Sequence, residues 1–249
     1  MKTRQITTKK IIRSIYFLPL FVFLLGCGML PYGGTVGIPN TPKNKNITSA
    51  VTHENGHIYF FSGNEYIKWN PGVGPSKVRS LGNDGWKSLP DQFKSGIDAS
   101  VVHPKNKNIY FFKGNKYCVW QPGKGLISSV KTLGVSGWKS LPQSFKSGID
   151  AAVVHPKNKH IYFFKGNKYC KWKPGTGLVG SVRTIGVTGW KSLPKEFHTN
   201  IDAAVVNPKN EHIFFFKGDN YCVWNPGKGI FNPGIRKRNE YGWIGLKFD

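Results

Sequence analysis

Short apolar stretches alternate with polar turns rich in Gly, Pro and Asn along most of the chain. In one representative stretch, apolar runs occupy residues 151–154, 161–164 and 169–172, and a more polar run occupies 181–185. The second run, Ile-Tyr-Phe-Phe, is apolar throughout, as is typical of a strand covered on both faces. A Gly-Asn pair between the second and third runs favours a tight hairpin. The pattern predicts three buried antiparallel strands and a polar fourth strand at the sheet edge.

The same pattern recurs along the chain. Asp98, Asp150 and Asp202 begin three copies at intervals of 52 residues, and a less regular copy occupies residues 46–69. A Gly-Trp pair follows each copy, with its tryptophan at Trp86, Trp138, Trp190 and Trp243. A unit of this length cannot bury its own apolar faces and must stack on its neighbours. Four such units predict an all-β chain folded as a four-bladed β-propeller, each blade a four-stranded antiparallel sheet.

We expect the propeller to fill residues 46–249 as one domain. Dividing it at the starts of the repeats gives blades with approximate bounds 46–94, 95–146, 147–198 and 199–249. Residues 28–45 are rich in Gly, Pro and Asn and offer little to bury. This composition predicts a flexible tether that precedes the propeller.

The first 27 residues have the features of an export signal. Five basic residues precede an apolar run at 15–25, which is too short for a membrane-spanning helix. The run ends in Leu-Leu-Gly-Cys27, which resembles the bacterial lipobox, where the cysteine is diacylated and becomes the first mature residue. The resemblance implies an exported lipoprotein of the cell envelope, anchored in a membrane by its acyl chains. Gly28 favours the outer membrane if the organism is Gram-negative. The alternative is an ordinary cleaved signal with an incidental Cys27.

Four motifs recur in the units: Asp-Ala-Ala, Tyr-Phe-Phe-Lys-Gly, Tyr-x-x-Trp and Gly-Trp-x-x-Leu-Pro. In the third unit they begin at Asp150, Tyr162, Tyr169 and Gly189. Together they resemble the hemopexin repeat, and the resemblance covers roughly residues 46–249. The high identity between the repeats is similar to that of photopexin-type hemopexin-like proteins of bacteria. The resemblance implies a hemopexin-fold propeller that binds a ligand.

The chain departs from the hemopexin pattern at the closure of the ring. In that family a disulfide usually joins the first blade to the last, but here no cysteine lies near Ile47 or after Cys222. We therefore expect closure by packing alone, with Trp243, Leu246 and Phe248 against the first blade.

The resemblance also implies a cation in the central channel. In the family, backbone carbonyls at the Asp position converge on the axis and hold calcium or sodium, which are hard cations suited to oxygen ligands. The corresponding positions here are Thr48, Asp98, Asp150 and Asp202. The alternative is a water-filled channel in which the carboxylates cap nearby backbone amides.

Three histidines occupy equivalent places after the first strand of a unit. They are His53, His103 and His155, and Asn207 takes the place in the last unit. Neutral imidazoles can ligate haem iron or a soft metal, and the resemblance to hemopexin and photopexins suggests haem. The alternative is that His-Pro serves only the turn.

Three cysteines also occupy equivalent places: Cys118, Cys170 and Cys222. The repeat symmetry holds them apart, so mutual disulfides are not expected. Ile67 fills the same place in the first unit, which favours a role as small buried hydrophobes.

The chain is strongly basic, with 36 Lys and Arg against 12 Asp and Glu and a formal net charge of +24. Such a charge attracts polyanions such as acidic glycans. Two sets of lysines recur at opposite ends of the units: Lys105, Lys157 and Lys209 in the turns, and Lys113, Lys165 and Lys217 in the hairpins. Repeated weak charges over a broad face can bind a polyanion by multivalency. The alternative is a solvated rim.

No arrangement of residues typical of catalysis stands out from the repeats, so we expect no enzyme. The sequence favours a monomeric, lipid-anchored binding module that recognises a protein or an acidic glycan through its basic faces. The lysines are spread through all repeats and form no single run, which is also expected of a general solubility feature. No specific nucleic acid is expected. Haem capture for iron acquisition is the alternative function.

Overall fold

The computed structural model describes residues 45–248, which form four small β-sheets. The first blade contains β1 (Ser49–Thr52), β2 (Ile58–Ser62), β3 (Glu65–Asn70), β4 (Gly74–Pro75) and β5 (Arg79–Ser80). The second follows the one-turn helix α1 (Asp91–Lys94) and contains β6 (Ala99–Val102), β7 (Ile109–Lys113), β8 (Lys116–Gln121), β9 (Gly125–Leu126) and β10 (Lys131–Thr132).

The last two blades repeat this plan. The third follows α2 (Gln143–Lys146) and contains β11 (Ala151–Val154), β12 (Ile161–Lys165), β13 (Lys168–Lys173), β14 (Gly177–Leu178) and β15 (Arg183–Thr184). The fourth follows a 3₁₀ turn (Lys195–His198) and contains β16 (Ala203–Val206), β17 (Ile213–Lys217), β18 (Asn220–Asn225) and β19 (Gly229–Lys237).

The sheets are arranged as a propeller. Consecutive strands of each blade pair antiparallel from the inner strand outward. The inner strands β1, β6, β11 and β16 contact one another in that order, and β16 also contacts β1, so the ring is closed. The predicted all-β, four-bladed propeller is therefore confirmed.

The outermost strand differs in detail from the sequence-based expectation. A continuous strand was expected over 181–185, but the third blade has two short pieces, β14 and β15, which pair with opposite ends of β13. Gly180, which has a positive φ of 71°, lies between the two pieces. In the fourth blade the outer strand β19 is continuous, with an irregularity opposite Cys222 and Trp224.

The cores lie between neighbouring blades. The tryptophan that follows one blade packs its indole edge against a phenylalanine of the next blade. Trp138 follows the second blade and Phe163 belongs to the third, and their ring centroids are 5.3 Å apart. Each of these tryptophans has a positive φ, 54° for Trp138, which is an uncommon conformation for a large side chain. The contact that fixes one blade against the next therefore depends on a local backbone conformation that recurs in every repeat.

The ring closes by apolar packing. Trp243, Leu246 and Phe248 are buried with Ile47 and Phe60 of the first blade in one cluster. The backbone N–H of Lys45 donates to the carbonyl of Phe248 at 3.2 Å. The closure expected from the sequence is present.

Within residues 45–248, no helix has the length and apolar character needed to cross a membrane. The proposed lipidation residue Cys27 and residues 28–44 of the tether lie outside the described residues.

Candidate binding surfaces

The propeller has two ends, which we name after the residues that mark them. The Asp end carries the residues just before the inner strands, including Asp98, Asp150 and Asp202. The His end carries the turns that follow the inner strands, including His103 and His155. The two lysine sets divide between these ends, with the hairpin lysines at the Asp end and the turn lysines at the His end.

At the Asp end, a cavity of ≈ 410 Å³ opens on the axis. The four residues expected to surround an ion all line it: Thr48, Asp98, Asp150 and Asp202. The hydroxyl of Thr48 donates to the carbonyl of Ile97 at 2.8 Å, which links the first blade to the second. The structure thus brings the predicted axial positions together at one mouth of the channel.

The aspartate side chains at this mouth have a structural role. The Oδ2 atoms of Asp98 and Asp150 accept the backbone N–H groups of Gly114 and Gly166, each at 2.7 Å. Asp202 accepts the N–H of Gly218 in the same way. Carboxylates are strong acceptors for such amides, so each one fixes the hairpin of its own blade. This arrangement agrees with the alternative in which the carboxylates cap nearby backbone amides. The cation expected to bind the backbone carbonyls stays a prediction.

Burial raises the pKa of one of these carboxylates. The pKa of Asp202 is raised, chiefly by desolvation, while the Gly218 amide and Lys217 act in the opposite direction. Among residues 45–248, no three His, Cys, Asp or Glu side chains are grouped so that they could share a metal ion.

At the His end, the imidazoles support the turns. Nδ1 of His155 accepts the N–H groups of Lys157 at 3.2 Å and Asn158 at 3.4 Å. Nδ1 of His103 and His53 accept turn amides in the same way. The Nδ1 atoms are acceptors here, so the neutral rings carry their proton on Nε2.

Asn207 shows what the turn requires. Its Oδ1 accepts the N–H of Lys209 at 2.9 Å, which reproduces the bond made by the histidine nitrogen in the other units. The pKa values of His53, His103 and His155 are lowered, with desolvation as the largest cause. The bond made by Asn207 favours turn formation as the role of these side chains, whereas the lowered pKa values keep the rings neutral, as either a turn acceptor or a metal ligand would be.

The two lysine sets differ in how their ammonium groups are used. Lys113 donates to the hydroxyl of Ser95 at 2.8 Å, and Lys165 donates to the carbonyl of Gly148 at 3.0 Å. Lys217 donates to the carbonyls of Glu196 and Thr199, each at 2.7 Å. These half-buried hairpin lysines are bonded to the linker before their own blade.

The turn lysines are exposed, and each extends over the next blade. A Cβ placed on Gly227 would lie 2.5 Å from Nζ of Lys157, and one on Gly72 would lie 2.5 Å from Nζ of Lys209. A Cβ placed on Gly175 would likewise lie 2.8 Å from Nζ of Lys105. The turn lysines therefore form a repeated, exposed basic feature around the His end.

The thiols are not reactive groups. Cys118, Cys170 and Cys222 are all buried, and their pKa values are raised by desolvation, to about 12 for Cys118 and Cys170. A thiol with so high a pKa is not ionised at neutral pH. The interpretation of these residues as buried hydrophobes agrees with their surroundings.

Sequence reasoning missed a cleft between the second and third blades at the His end. We call this cavity of ≈ 530 Å³ the blade 2–3 cleft. Its apolar lining includes Val102, Pro104, Val154 and Pro174. Its basic lining consists of Lys105, Lys107, Lys159 and Lys173. A usable signal was present in the sequence, because Lys173 replaces Asn70, Gln121 and Asn225 of the other units.

Comparisons with known proteins agree with this architecture. The hemopexin family model matches residues 149–175, which lie in the third blade. The chain is 29% identical to albumin-2 of Lathyrus sativus over 192 residues, covering 70% of this chain and 79% of that protein. It is 28% identical to stromelysin-3 of Xenopus laevis, covering 62% of this chain but 30% of that protein. The chain thus spans about a third of that longer relative.

Solved structures identify the fold. The hemopexin fold protein CP4 from cow pea superposes with a TM-score of 0.66 at 26% identity, over 78% of this chain and 94% of that chain. A plant albumin from Cicer arietinum showing hemagglutination superposes with a TM-score of 0.69 at 27% identity, over 80% and 96%. A Cicer arietinum lectin with two metal binding sites gives 0.65 at 26% identity, over 78% and 94%. Residues 149–175 thus match the hemopexin repeat, and the chain has the hemopexin fold.

Proposed function

We propose that this protein is a non-enzymatic, monomeric binding module of hemopexin fold that recognises an acidic glycan through its His end. The observation that carries the proposal is the contrast between the lysine sets. The hairpin lysines are half-buried and already bonded, as Lys165 is to Gly148. The turn lysines, by contrast, are exposed in three successive blades. Several exposed cations at a regular spacing suit a repeating polyanion better than a single ion.

The relatives favour a glycan over a protein ligand. One solved neighbour is a plant albumin showing hemagglutination, and another is a plant lectin. Agglutination of red cells requires attachment to their surface, which is rich in acidic glycans. An acidic protein surface is the other ligand that the basic faces would suit.

Binding to an immobilised sulfated glycan tests this proposal. We expect affinity that falls steeply as salt rises from about 0.05 to about 0.5 M, because exposed charges are screened over a few ångströms at high salt. The control is the same glycan with its sulfates removed. Equal binding to both glycans, or binding that salt does not change, would overturn the glycan proposal.

We also propose that acyl chains on Cys27 attach the protein to a membrane of the cell envelope. More than one acyl chain gives stable anchoring. The protein is expected to enter the detergent phase in phase-separation experiments, whereas Cys27→Ser is expected in the aqueous phase. The same phase for both proteins would refute the anchor.

A structural calcium or sodium ion in the axial cavity is part of this proposal. The metal binding sites of the lectin neighbour and the oxygen-rich mouth of the cavity support it. Bound calcium would raise the thermal midpoint, since a ligand at a hundred times its Kd adds about 2.7 kcal/mol. A midpoint unchanged by calcium and sodium would contradict the ion.

Haem binding is the competing function. With their Nδ1 atoms used by the turns, His103 and His155 would have to ligate iron through Nε2. A haem titration followed by absorbance distinguishes the two functions. A saturable Soret shift at one equivalent, lost in His103→Asn/His155→Asn, would establish haem binding, and no such shift would exclude it.

A further inference from the structure

The chemistry of the blade 2–3 cleft is unusual within this molecule. Its lysines surround an apolar floor formed by the ends of two inner strands, Val102 and Val154. Its volume of ≈ 530 Å³ lies in the range of small-molecule pockets, about 300–1,000 Å³. An apolar floor beneath cationic groups matches a ligand that has an apolar body and a negative end.

The repeats provide an internal comparison. The cleft has four lysines and no acid. At the next pair of blades, Glu211 stands where the cleft has Lys159, and Asn225 stands where it has Lys173. In the first blade the same two places are taken by Gly56 and Asn70. The concentration of positive charge therefore belongs to this one pair of blades and does not follow from the repeat.

Several polar groups that line the cleft have no ion-pair or hydrogen-bond partner among the described residues. Within residues 45–248, no carboxylate forms an ion pair with any of its four lysines. His160 also lines the cleft, and its Nδ1 is buried without a hydrogen-bond partner in the same part of the chain. The equivalent Nδ1 of His57 in the first blade is buried and unpaired in the same way, so the exposed, unpaired lysines are the groups available to a ligand in the cleft.

We propose that the blade 2–3 cleft binds a small organic anion: a carboxylate or sulfonate carried on an aromatic or alkyl body. The apolar body would contact Val102 and Val154, and the anionic end would contact the lysines. This site goes beyond the proposed glycan surface, because Lys107, Lys159 and Lys173 belong to neither lysine set, although Lys105 is common to both sites. Variants of Lys159 or Lys173 therefore leave the turn lysines in place, and glycan binding can be measured separately.

A matched pair of fluorescent probes tests the site. Anilinonaphthalene sulfonate has an apolar body and one negative charge, and phenylnaphthylamine is its uncharged analogue. We expect one saturable site for the sulfonate and weaker binding of the uncharged probe. Lys173→Asn, which copies Asn225, should weaken sulfonate binding about two- to fivefold, the effect of one exposed ion pair.

A second variant separates binding from folding. Lys159 has a φ of 55°, in the left-handed region that favours glycine, and its first-blade equivalent is Gly56 with a φ of 79°. Lys159→Gly should therefore raise the thermal midpoint while weakening sulfonate binding about two- to fivefold. Lys228→Asn is the control, because Lys228 is an exposed lysine of the fourth blade that belongs to neither lysine set, and it should leave binding unchanged. The proposal is overturned if both cleft variants bind like the wild type, if Lys228→Asn weakens binding equally, or if several probe molecules bind.

Discussion

The indole of Trp243 packs edge-on against the phenyl ring of Phe60, with ring centroids 5.2 Å apart. These residues come from the last and first blades, so their contact closes the propeller. The other three junctions are made by covalently consecutive blades, and each has the same Trp–Phe contact, as in Trp190 and Phe215 at 5.3 Å. Closure therefore uses the same interaction as the rest of the ring, without a covalent link among the described residues.

Trp243→Ala tests the energetic role of this contact. The side chain is buried, so its removal should lower the free energy of unfolding by about 3–5 kcal/mol, as measured by urea denaturation. Ile244→Ser is the control, because the next side chain is 59% exposed and should change stability by less than about 0.5 kcal/mol. Equal stability of the two variants would contradict closure by packing.

The turn role of His155 predicts a selective response to substitution. His155→Ala removes the acceptor of two backbone amides and should lower the free energy of unfolding by about 1 kcal/mol. His155→Asn should retain most of the stability, because Asn207 already makes this bond in the fourth blade. If the alanine and asparagine variants unfold at the same urea concentration, the hydrogen bond contributes nothing measurable.

The same histidines predict a pH dependence. Their pKa values are lowered in the folded protein, so the neutral rings favour folding and protonation favours the unfolded chain. This stabilisation is full above the unfolded pKa of about 6.5 and is lost as pH falls through the lower folded value. His53→Asn/His103→Asn/His155→Asn should therefore lose less stability than the wild type between about pH 7.5 and about pH 5. Parallel losses over that range would show that other groups account for it.

Asp202, at the Asp end, predicts a pH dependence of stability opposite to that of the histidines. Its pKa is raised, so the stabilisation from this group is present below the unfolded pKa of about 3.9 and is lost as pH rises through the folded value. At neutral pH, Asp202→Asn should match or exceed the wild type in urea denaturation, since the amide Oδ1 can still accept the N–H of Gly218. A loss of more than about 2 kcal/mol would mean that the negative charge is needed.

Much of the architecture could be predicted because the repeat is local and regular. The spacing of Asp98, Asp150 and Asp202 identified the units, and the apolar runs identified their buried strands. The tryptophans recurred at fixed positions, which indicated that neighbouring units pack alike. The first piece of the outer strand, β14, was missed because two residues, Gly177 and Leu178, are too short a run to give a strand pattern in the sequence.

The binding surfaces were less predictable. The sequence places Lys157 and Lys165 at opposite ends of one blade, but only the structure shows that Lys165 is bonded to Gly148 while Lys157 is exposed. The blade 2–3 cleft brings together Lys107 and Lys173, which are distant in sequence and lie on different blades. The signal that could have identified it is Lys173, which departs from the repeat, whereas repeat motifs are defined by the residues that the units share.

The most direct test of the proposed function compares the two lysine sets on a sulfated glycan at low salt. One variant replaces the turn set with glutamine at Lys105, Lys157 and Lys209, and the other replaces the hairpin set at Lys113, Lys165 and Lys217. Both variants lose the same charge, so a difference in glycan affinity between them identifies the face that binds. We predict about tenfold weaker binding for the turn variant, from three exposed contacts, and nearly unchanged affinity for the folded hairpin variant. Equal losses, or a larger loss in the hairpin variant, would contradict recognition through the His end.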